Sequence, residues 1–246
     1  MCNNYFNPPI VEALCQIQFI PDQPWDWTVP GLLYDQLKST YPTKRQHNAL
    51  KLEYRPEQQE ISQIVSNGVA RMQFVRADER ALVQVGPDIL IVNHLKPYPK
   101  WDVYKLMISE ALVSYQTVAM PKGIRNIGLR YINRIEVPEQ QYEIESYLLA
   151  VPKVPESVPQ LFGVFAQRVE IPFPQHNGLL ILQSGLDRNG QDPNSALMLD
   201  LDFIMVDPAN TLPDNGMTWV EHAHRIIEDV FEACITDKAR LLFRGG

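Results

Sequence analysis

Charged side chains that alternate with apolar ones on predicted strands are the residues of this sequence best suited to chemistry. Arg130 and Arg134 are four residues apart, and Asp200 and Asp202 are two apart. Each pair therefore lies on one face of an extended strand. Two guanidinium groups could hold a carboxylate or a phosphate through paired hydrogen bonds. Two carboxylates could act as an acid/base pair or as metal ligands, but the sequence shows no third partner for them.

The first half of the chain carries polar side chains at comparable places, with Gln16 on one predicted strand and Arg71 on another. If helices cover the opposite side, these residues form one broad sheet surface for a partner protein, a peptide or a small polar ligand. The candidate binding residues are Gln16, Arg71, Arg130, Arg134, Asp200 and Asp202. The alternative is a solvated face whose cross-strand ion pairs contribute about 0.2–1 kcal/mol each.

Common catalytic and cofactor signatures are absent from the sequence. It contains no phosphate-binding loop, no dinucleotide-binding glycine motif, no H-E-x-x-H helix and no G-x-S-x-G nucleophile turn. His222 and His224 are two apart on a predicted helix, so they point in different directions and cannot share a metal. We expect His224 to be a hydrogen-bonded residue at the edge of the core. We therefore expect no catalytic residue, no metal and no cofactor, and favour a protein that is not an enzyme.

Composition and charge limit the partners. The 246 residues are 45% hydrophobic, and 22 Lys and Arg against 29 Asp and Glu give a formal net charge of -7, which argues against a nucleic-acid partner. Three cysteines without C-x-x-C spacing indicate neither a disulfide framework nor a zinc site. No apolar run approaches the roughly 18 residues of a membrane span, and no signal peptide is recognisable. We therefore expect a cytoplasmic protein without membrane contact.

The elements that must position these residues follow from periodicity, and their order occurs twice. Pro21 and Pro138 each end a predicted strand 117 residues apart, and the long helices begin 116 residues apart. Strands are predicted over 10–20, 50–55, 68–76, 82–94 (divided at Gly86-Pro87), 126–137, 162–173, 179–186 and 196–207. Helices are predicted over 29–41, 101–118, 139–149 and 217–236.

This order predicts an α+β fold of two β-α-β-β-β-α units, residues 1–121 and 122–246. Each unit would be an antiparallel sheet with helices on one face, and the two would pack as one body related by internal duplication. The alternative is a single α+β domain whose elements match by accident.

The opening segment 7–19, Asn-Pro-Pro-Ile-Val-Glu-Ala-Leu-Cys-Gln-Ile-Gln-Phe, resembles the signature of a sporadically distributed family of uncharacterised bacterial proteins. Segments 71–74, 83–93, 98–101 and 129–135 are similar to that family's middle and second half, so the resemblance covers nearly the whole chain. The family has no agreed activity or catalytic residue, and the resemblance assigns none to this chain. Its patchy distribution implies an accessory bacterial system, such as a defence module.

Together these patterns favour a cytoplasmic binding or adaptor protein that engages a partner protein in such an accessory system. The alternative is a sensor that binds a small polar or anionic ligand between the two units. A weaker alternative is a metal-dependent hydrolase or nuclease that uses Asp200 and Asp202.

Overall fold

Strands with alternating apolar residues form most of the fold in the computed structural model, which describes residues 5–51, 66–138, 142–159, 164–187, 196–207 and 215–244. The strands are β1 (Ile10–Ile20), β2 (Thr43–Lys51), β3 (Ser66–Val75), β4 (Ala81–Gly86), β5 (Ile89–Leu95), β6 (Gly123–Glu136), β7 (Ala166–Phe173), β8 (Gly178–Asp187) and β9 (Ala196–Met205). The helices are α1 (Thr28–Leu37), α2 (Trp101–Ala119), α3 (Gly216–Cys234) and α4 (Asp237–Phe243), with short 3-10 helices at Ile144–Ser146 and Pro174–His176.

The strands form one sheet, so the prediction of two separate sheets in β-α-β-β-β-α units is wrong. The strand order is β2-β3-β4-β5-β1-β6-β9-β8-β7, and all the neighbouring strands pair antiparallel. β1 and β6, the first strands of the two expected units, pair with each other from Ile10–Asn133 to Ile20–Gly123. A sheet that stopped at either strand would leave its edge N–H and C=O groups unpaired. Pairing the two strands satisfies both edges.

Two predicted elements differ from the observed ones. The segment 139–149 is not a helix in its described part, where only the 3-10 turn Ile144–Ser146 forms and Leu148 then bridges to Ile235. The strand predicted at 50–55 corresponds to the end of β2, which begins earlier, at Thr43. Residues 139–141 and 52–55 lie outside the described ranges. The predicted division of 82–94 is confirmed, because β4 ends at Gly86 and β5 begins at Ile89.

The helices pack on one face of the sheet. Tyr104 of α2 donates a hydrogen bond to the carbonyl oxygen of Val92 (2.8 Å), and Tyr115 stacks on Phe19 with ring centroids 4.3 Å apart. On this side lie buried residues of the central strands, among them Cys15, Leu129 and Phe203, each at most 1% exposed. No helix in the described ranges is long and apolar enough to cross a membrane.

The other side of the sheet is named the helix-free face, because no described helix contacts it. It comprises the even-numbered residues from Glu12 to Gln18 of β1 and from Asn126 to Glu136 of β6, the even-numbered residues of β4, β7 and β9, and the odd-numbered residues of β5, of β8 and of β3 from Arg71 onward, as the strand registers require. The two faces therefore use alternate residues of the same strands.

A single sheet predicts that the two halves unfold together. Leu129 is fully buried where β1 and β6 meet, opposite Cys15. Leu129→Ala should lower the free energy of unfolding by about 2–5 kcal/mol, because it leaves a cavity between the halves. In a Trp219→Phe background the remaining tryptophans all lie before residue 102. Their fluorescence should show one unfolding transition as the urea concentration rises. Leu129→Ala should shift the midpoint of this transition to a lower urea concentration.

The matched control is Leu106→Ala, since Leu106 is 57% exposed on α2 and its truncation should cost little. Two separate transitions, with the fluorescence of the first half unchanged by Leu129→Ala, would contradict a continuous sheet.

Candidate functional site

A bidentate ion pair occupies the second half of the helix-free face. Arg130 of β6 donates from Nε to Asp200 Oδ1 (2.8 Å) and from Nη2 to Asp200 Oδ2 (2.5 Å). Gln183 of β8 approaches Asp200 Oδ2 from the other side, at 3.3 Å. The hydrogen bonds to Asp200 raise the pKa of Arg130. Because both carboxylate oxygens are engaged by a guanidinium group, Asp200 is a positioned structural charge rather than a general base.

A ladder of side-chain hydrogen bonds crosses the first half of the same face. Gln73 donates to Gln84 (3.1 Å), Gln84 donates to Asn93 (2.9 Å), and Asn93 donates to Glu12 (2.6 Å). Since the Glu12 carboxylate can only accept, each amide upstream must donate in the same direction. This amide ladder joins β3, β4, β5 and β1. It ends at Glu12, whose charge also raises the pKa of Arg130, so the two networks meet where β1 and β6 pair.

The six predicted site residues all lie on the helix-free face but do not form one cluster. Arg130, Asp200, Asp202 and Gln16 are on adjacent or next-adjacent strands at the centre of the sheet. Arg134 lies nearer the end of β6, where its Nη1 donates to Glu136 (2.9 Å). Arg71 lies on β3, four strands from β6, which is about 19 Å at a strand spacing near 4.8 Å. Arg71 therefore cannot act together with the central group.

Gly128 lies in the middle of this central group without a side chain, and the position that its side chain would occupy is named the hollow. It lies opposite Gln16 on one side and Ile204 on the other. A Cβ atom at Gly128 would be 3.3 Å from Ile204 Cγ2 and 3.7 Å from Asp202 Oδ1, so the Asp202 carboxylate borders the space. Within the part of the chain that the structure describes, neither Gln16 nor Asp202 makes a side-chain hydrogen bond. The hollow therefore presents a carboxylate and an amide that can both bind a donor.

Burial gives Asp202 an unusual charge state. Desolvation raises the pKa of its carboxyl to about 6; Asp200 adds to the rise, while Arg130 opposes it. Asp202 is therefore mostly ionised at neutral pH, but the described residues give it none of the hydrogen bonds that normally support a buried carboxylate. A cation or an N–H donor placed in the hollow would supply them.

The geometry does not support the hydrolase or nuclease alternative. Among the described residues, no three His, Cys, Asp or Glu side chains are placed to hold a metal ion together. Asp200 is bound by Arg130, so Asp202 has no second carboxylate available for acid/base work. Arg130 and Arg134 each already bind a carboxylate of their own chain, and neither is poised to hold a ligand anion.

Two polar residues that sequence reasoning overlooked are buried. Asn93 follows the apolar run Ile89–Val92 and is 3% exposed, and Asn133 occupies a helix-side position of β6 between Tyr131 and Ile135 at 2% exposure. The signal for Asn133 is a polar residue where alternation requires an apolar one, and the signal for Asn93 is a polar residue that ends an apolar run. His224 is buried and hydrogen-bonded to the Tyr131 hydroxyl (3.1 Å), as the sequence predicts.

Replacing Asp202 with asparagine should stabilise the protein near neutral pH. The folded pKa of about 6 exceeds the ordinary 3.8, so the folded state binds this proton more tightly than the unfolded chain. The contribution of Asp202 to the free energy of unfolding is therefore lost as pH rises from about 4 to about 6. At 1.36 kcal/mol per pKa unit, the penalty at pH 7.5 is at most about 3 kcal/mol.

Urea unfolding at pH 7.5 and pH 4 tests this expectation. Asp202→Asn should raise the midpoint at pH 7.5 and change it little at pH 4. Glu145→Gln, an exposed carboxylate in the 3-10 turn Ile144–Ser146, is the control. A lower midpoint for Asp202→Asn at pH 7.5 would show that ionised Asp202 already has the support that the geometry says it lacks.

Comparison with known proteins adds no assignment to these surfaces. No family model matches the chain, and no curated protein matches it either. The resemblance to the sporadically distributed bacterial family thus stays a prediction from the sequence. The function of the chain must be inferred from its own side chains.

Proposed function

We propose that this protein is a binding protein, not an enzyme, and that it engages a partner protein on the helix-free face. A lysine or arginine side chain of the partner would enter the hollow at Gly128. The observation that carries the proposal is the pair of Gln16 and Asp202 beside that hollow, two polar groups that no other described side chain satisfies.

Charge complementarity supports a basic partner residue. Around the hollow, Glu12, Asp200 and Asp202 provide three carboxylates against the guanidinium groups of Arg130 and Arg168, and Arg168 is itself paired with Glu170. A further cation would offset the repulsion between Asp200 and Asp202 and donate to the Asp202 carboxylate. An acidic partner residue would meet this excess of negative charge instead.

Apolar side chains surround the polar groups and favour a peptide segment over a bare ion. Leu14, Ile132 and Ile204 are half-buried members of the same face, interleaved with the charged residues. They can pack against the alkyl stem of a lysine or arginine while its charged end reaches Asp202. Apolar contact around a central polar anchor is the usual arrangement of protein interfaces.

The resemblance to a sporadically distributed bacterial family supports a partner within an accessory system such as defence. It is the basis for proposing an adaptor role, because such systems act through several proteins.

A peptide-display selection with the full chain tests the proposal. A random linear library should yield binders enriched in lysine or arginine at one position. The affinity of the selected peptides should fall at least tenfold for Asp202→Asn, since a charge-assisted hydrogen bond is lost. Gly128→Ala, which fills the hollow, should weaken the same peptides, and fluorescence anisotropy measures each affinity.

Glu145→Gln removes an exposed carboxylate in the 3-10 turn Ile144–Ser146 and should leave peptide binding unchanged. If no basic position is enriched, or if Asp202→Asn and Glu145→Gln bind the selected peptides equally well, the hollow is not the binding site.

A further inference from the structure

β7 forms one edge of the nine-stranded sheet, and no other described strand pairs with its outer side. Most of its side chains are exposed, among them Val169 at 44% and Ile171 at 37%. The backbone N–H and C=O groups along such an edge can pair with a strand of another chain. β7 is therefore a candidate interaction surface, separated from the hollow at Gly128 by β8 and β9.

The backbone hydrogen bonds to β8 decide which groups of β7 point outward. Leu186 of β8 donates its backbone N–H to the carbonyl oxygen of Phe165, the residue just before β7 (3.2 Å). Because these groups alternate along an antiparallel strand, the odd-numbered residues of β7 bond to β8 and the even-numbered ones direct N–H and C=O outward. Pro172, which has no N–H, occupies an outward position, where it costs no hydrogen bond to β8.

Two opposite charges lie two residues apart at outward positions of β7. Arg168 and Glu170 are both exposed on the helix-free face, where Arg168 Nη2 donates to Glu170 Oε1 (2.5 Å). In an antiparallel pairing of β7 with itself, Arg168 of one chain can lie opposite Glu170 of a second copy. Symmetry then repeats the same contact with the two chains exchanged.

The charges select one register for such a pairing. Only even-numbered residues can form its hydrogen-bonded pairs, because they carry the outward groups. The register centred on Val169 sets each Arg168 opposite a Glu170. Centring on Arg168 would oppose two guanidinium groups, and centring on Glu170 would oppose two carboxylates. Opposite charges across a strand pair stabilise a sheet, and like charges destabilise it.

The apolar side chains of β7 favour the same register. Val169 and Ile171 lie on the helix side of the strand and are exposed in the single chain. Centring on Val169 brings its two copies face to face with Cβ atoms about 5 Å apart. Ile171 of the second copy then becomes a diagonal neighbour of Val169. β-Branched side chains pack well in this arrangement and lose contact with water.

β2, the strand at the other edge of the sheet, lacks this self-complementarity. It carries Lys44, Arg45 and His47 and no acidic residue. Pairing β2 with a second copy of itself would bring cations together, and charged side chains on an edge strand oppose such pairing. Of the two edges, β7 is the one that fits a second copy of this chain.

We propose that this protein forms a twofold symmetric dimer in which β7 pairs antiparallel with β7 of a second copy, centred on Val169. The two sheets then continue into each other, and Arg168 and Glu170 of both chains form one charged cluster on the helix-free face. A single eight-residue strand offers a small interface, so the dimer dissociates on dilution. The hollow at Gly128 stays accessible, and the dimer is independent of the proposed partner binding.

Sedimentation velocity of the full chain over a series of concentrations tests the proposal. The mean sedimentation coefficient should rise with concentration from the value for one chain toward the value for two. Glu170→Arg should raise the dissociation constant at least tenfold, because it sets arginine opposite Arg168 of the second copy. Combining Arg168→Glu with Glu170→Arg should restore the dimer, since the exchanged charges again face their opposites.

Glu145→Arg makes the same change of charge at an exposed position outside β7 and should leave the dissociation constant unchanged. Circular dichroism should show the fold retained in Glu170→Arg, because Glu170 is exposed. The proposal is overturned if the chain stays monomeric at every concentration, if Glu170→Arg and Glu145→Arg dimerise equally, or if the exchanged pair dimerises no better than Glu170→Arg.

Cysteine cross-linking tests the register, in a Cys2→Ser background whose other cysteines, Cys15 and Cys234, are buried. Val169→Cys lies on the twofold axis and should form a disulfide-linked dimer under mild oxidation, because its two Cβ atoms are close to disulfide distance. Gln167→Cys is the comparison, since its two copies would be four positions, or about 13 Å, apart along the pair. Equal cross-linking of the two variants would overturn the register centred on Val169.

Discussion

The pairing of β1 with β6 is the interaction on which the other features depend. It brings Glu12 next to Arg130, so that the amide ladder of the first half and the ion pair of the second half belong to one surface. It also brings the segment before β1 against β6 and α3, and these elements line a cavity of about 680 Å³ on the helix side of the sheet. Without the pairing of β1 with β6, each half would have an unpaired strand edge. Neither the hollow at Gly128 nor the cavity would then have both of its sides.

β6 contributes to both the hollow and the cavity because successive residues of a strand point to opposite faces. Arg130 and Gly128 belong to the helix-free face, whereas Tyr131 and Asn133 line the cavity. β6 is also central, paired along most of its length on both sides. Its backbone is thus held by hydrogen bonds from two neighbours, and side chains on such a strand are positioned more rigidly than those on a loop.

Local periodicity predicts much of this fold, but it cannot predict pairing. Alternation over Ile10–Ile20 identifies β1 and the face that carries Gln16, and helical spacing identifies α2 and α3. Which strands pair at the centre of the sheet depends on backbone hydrogen bonds between residues more than 100 positions apart. The side-chain pattern carries no information about these bonds. The segment after Pro138 illustrates a related limit: Leu148 is held in extended chain by its bridge to Ile235, and this tertiary contact overrides the helical pattern.

For the candidate site, too, the sequence predicts which face a residue lies on but not which residues it contacts. Alternation places Arg130, Asp200 and Asp202 on one face, but the hollow exists only because the register sets Gly128 between Gln16 and Ile204. Likewise, the sequence shows two arginines suited to anions and does not show that carboxylates of the same chain already hold them. The register between strands decides which side chains of a sheet contact each other, and the local sequence does not determine that register.

The amide ladder itself helps to choose that register. If β5 slipped by two residues along β1, every apolar side chain would stay on the helix side, so the hydrophobic pattern alone would tolerate the error. The slip that sets Asn93 opposite Gln16 instead of Leu14 would carry Asn93 about 7 Å farther from Glu12, beyond hydrogen-bond reach, and break this bond in a largely buried setting. Polar side chains on the helix-free face thus disfavour this misalignment, which burial alone would not distinguish from the native one.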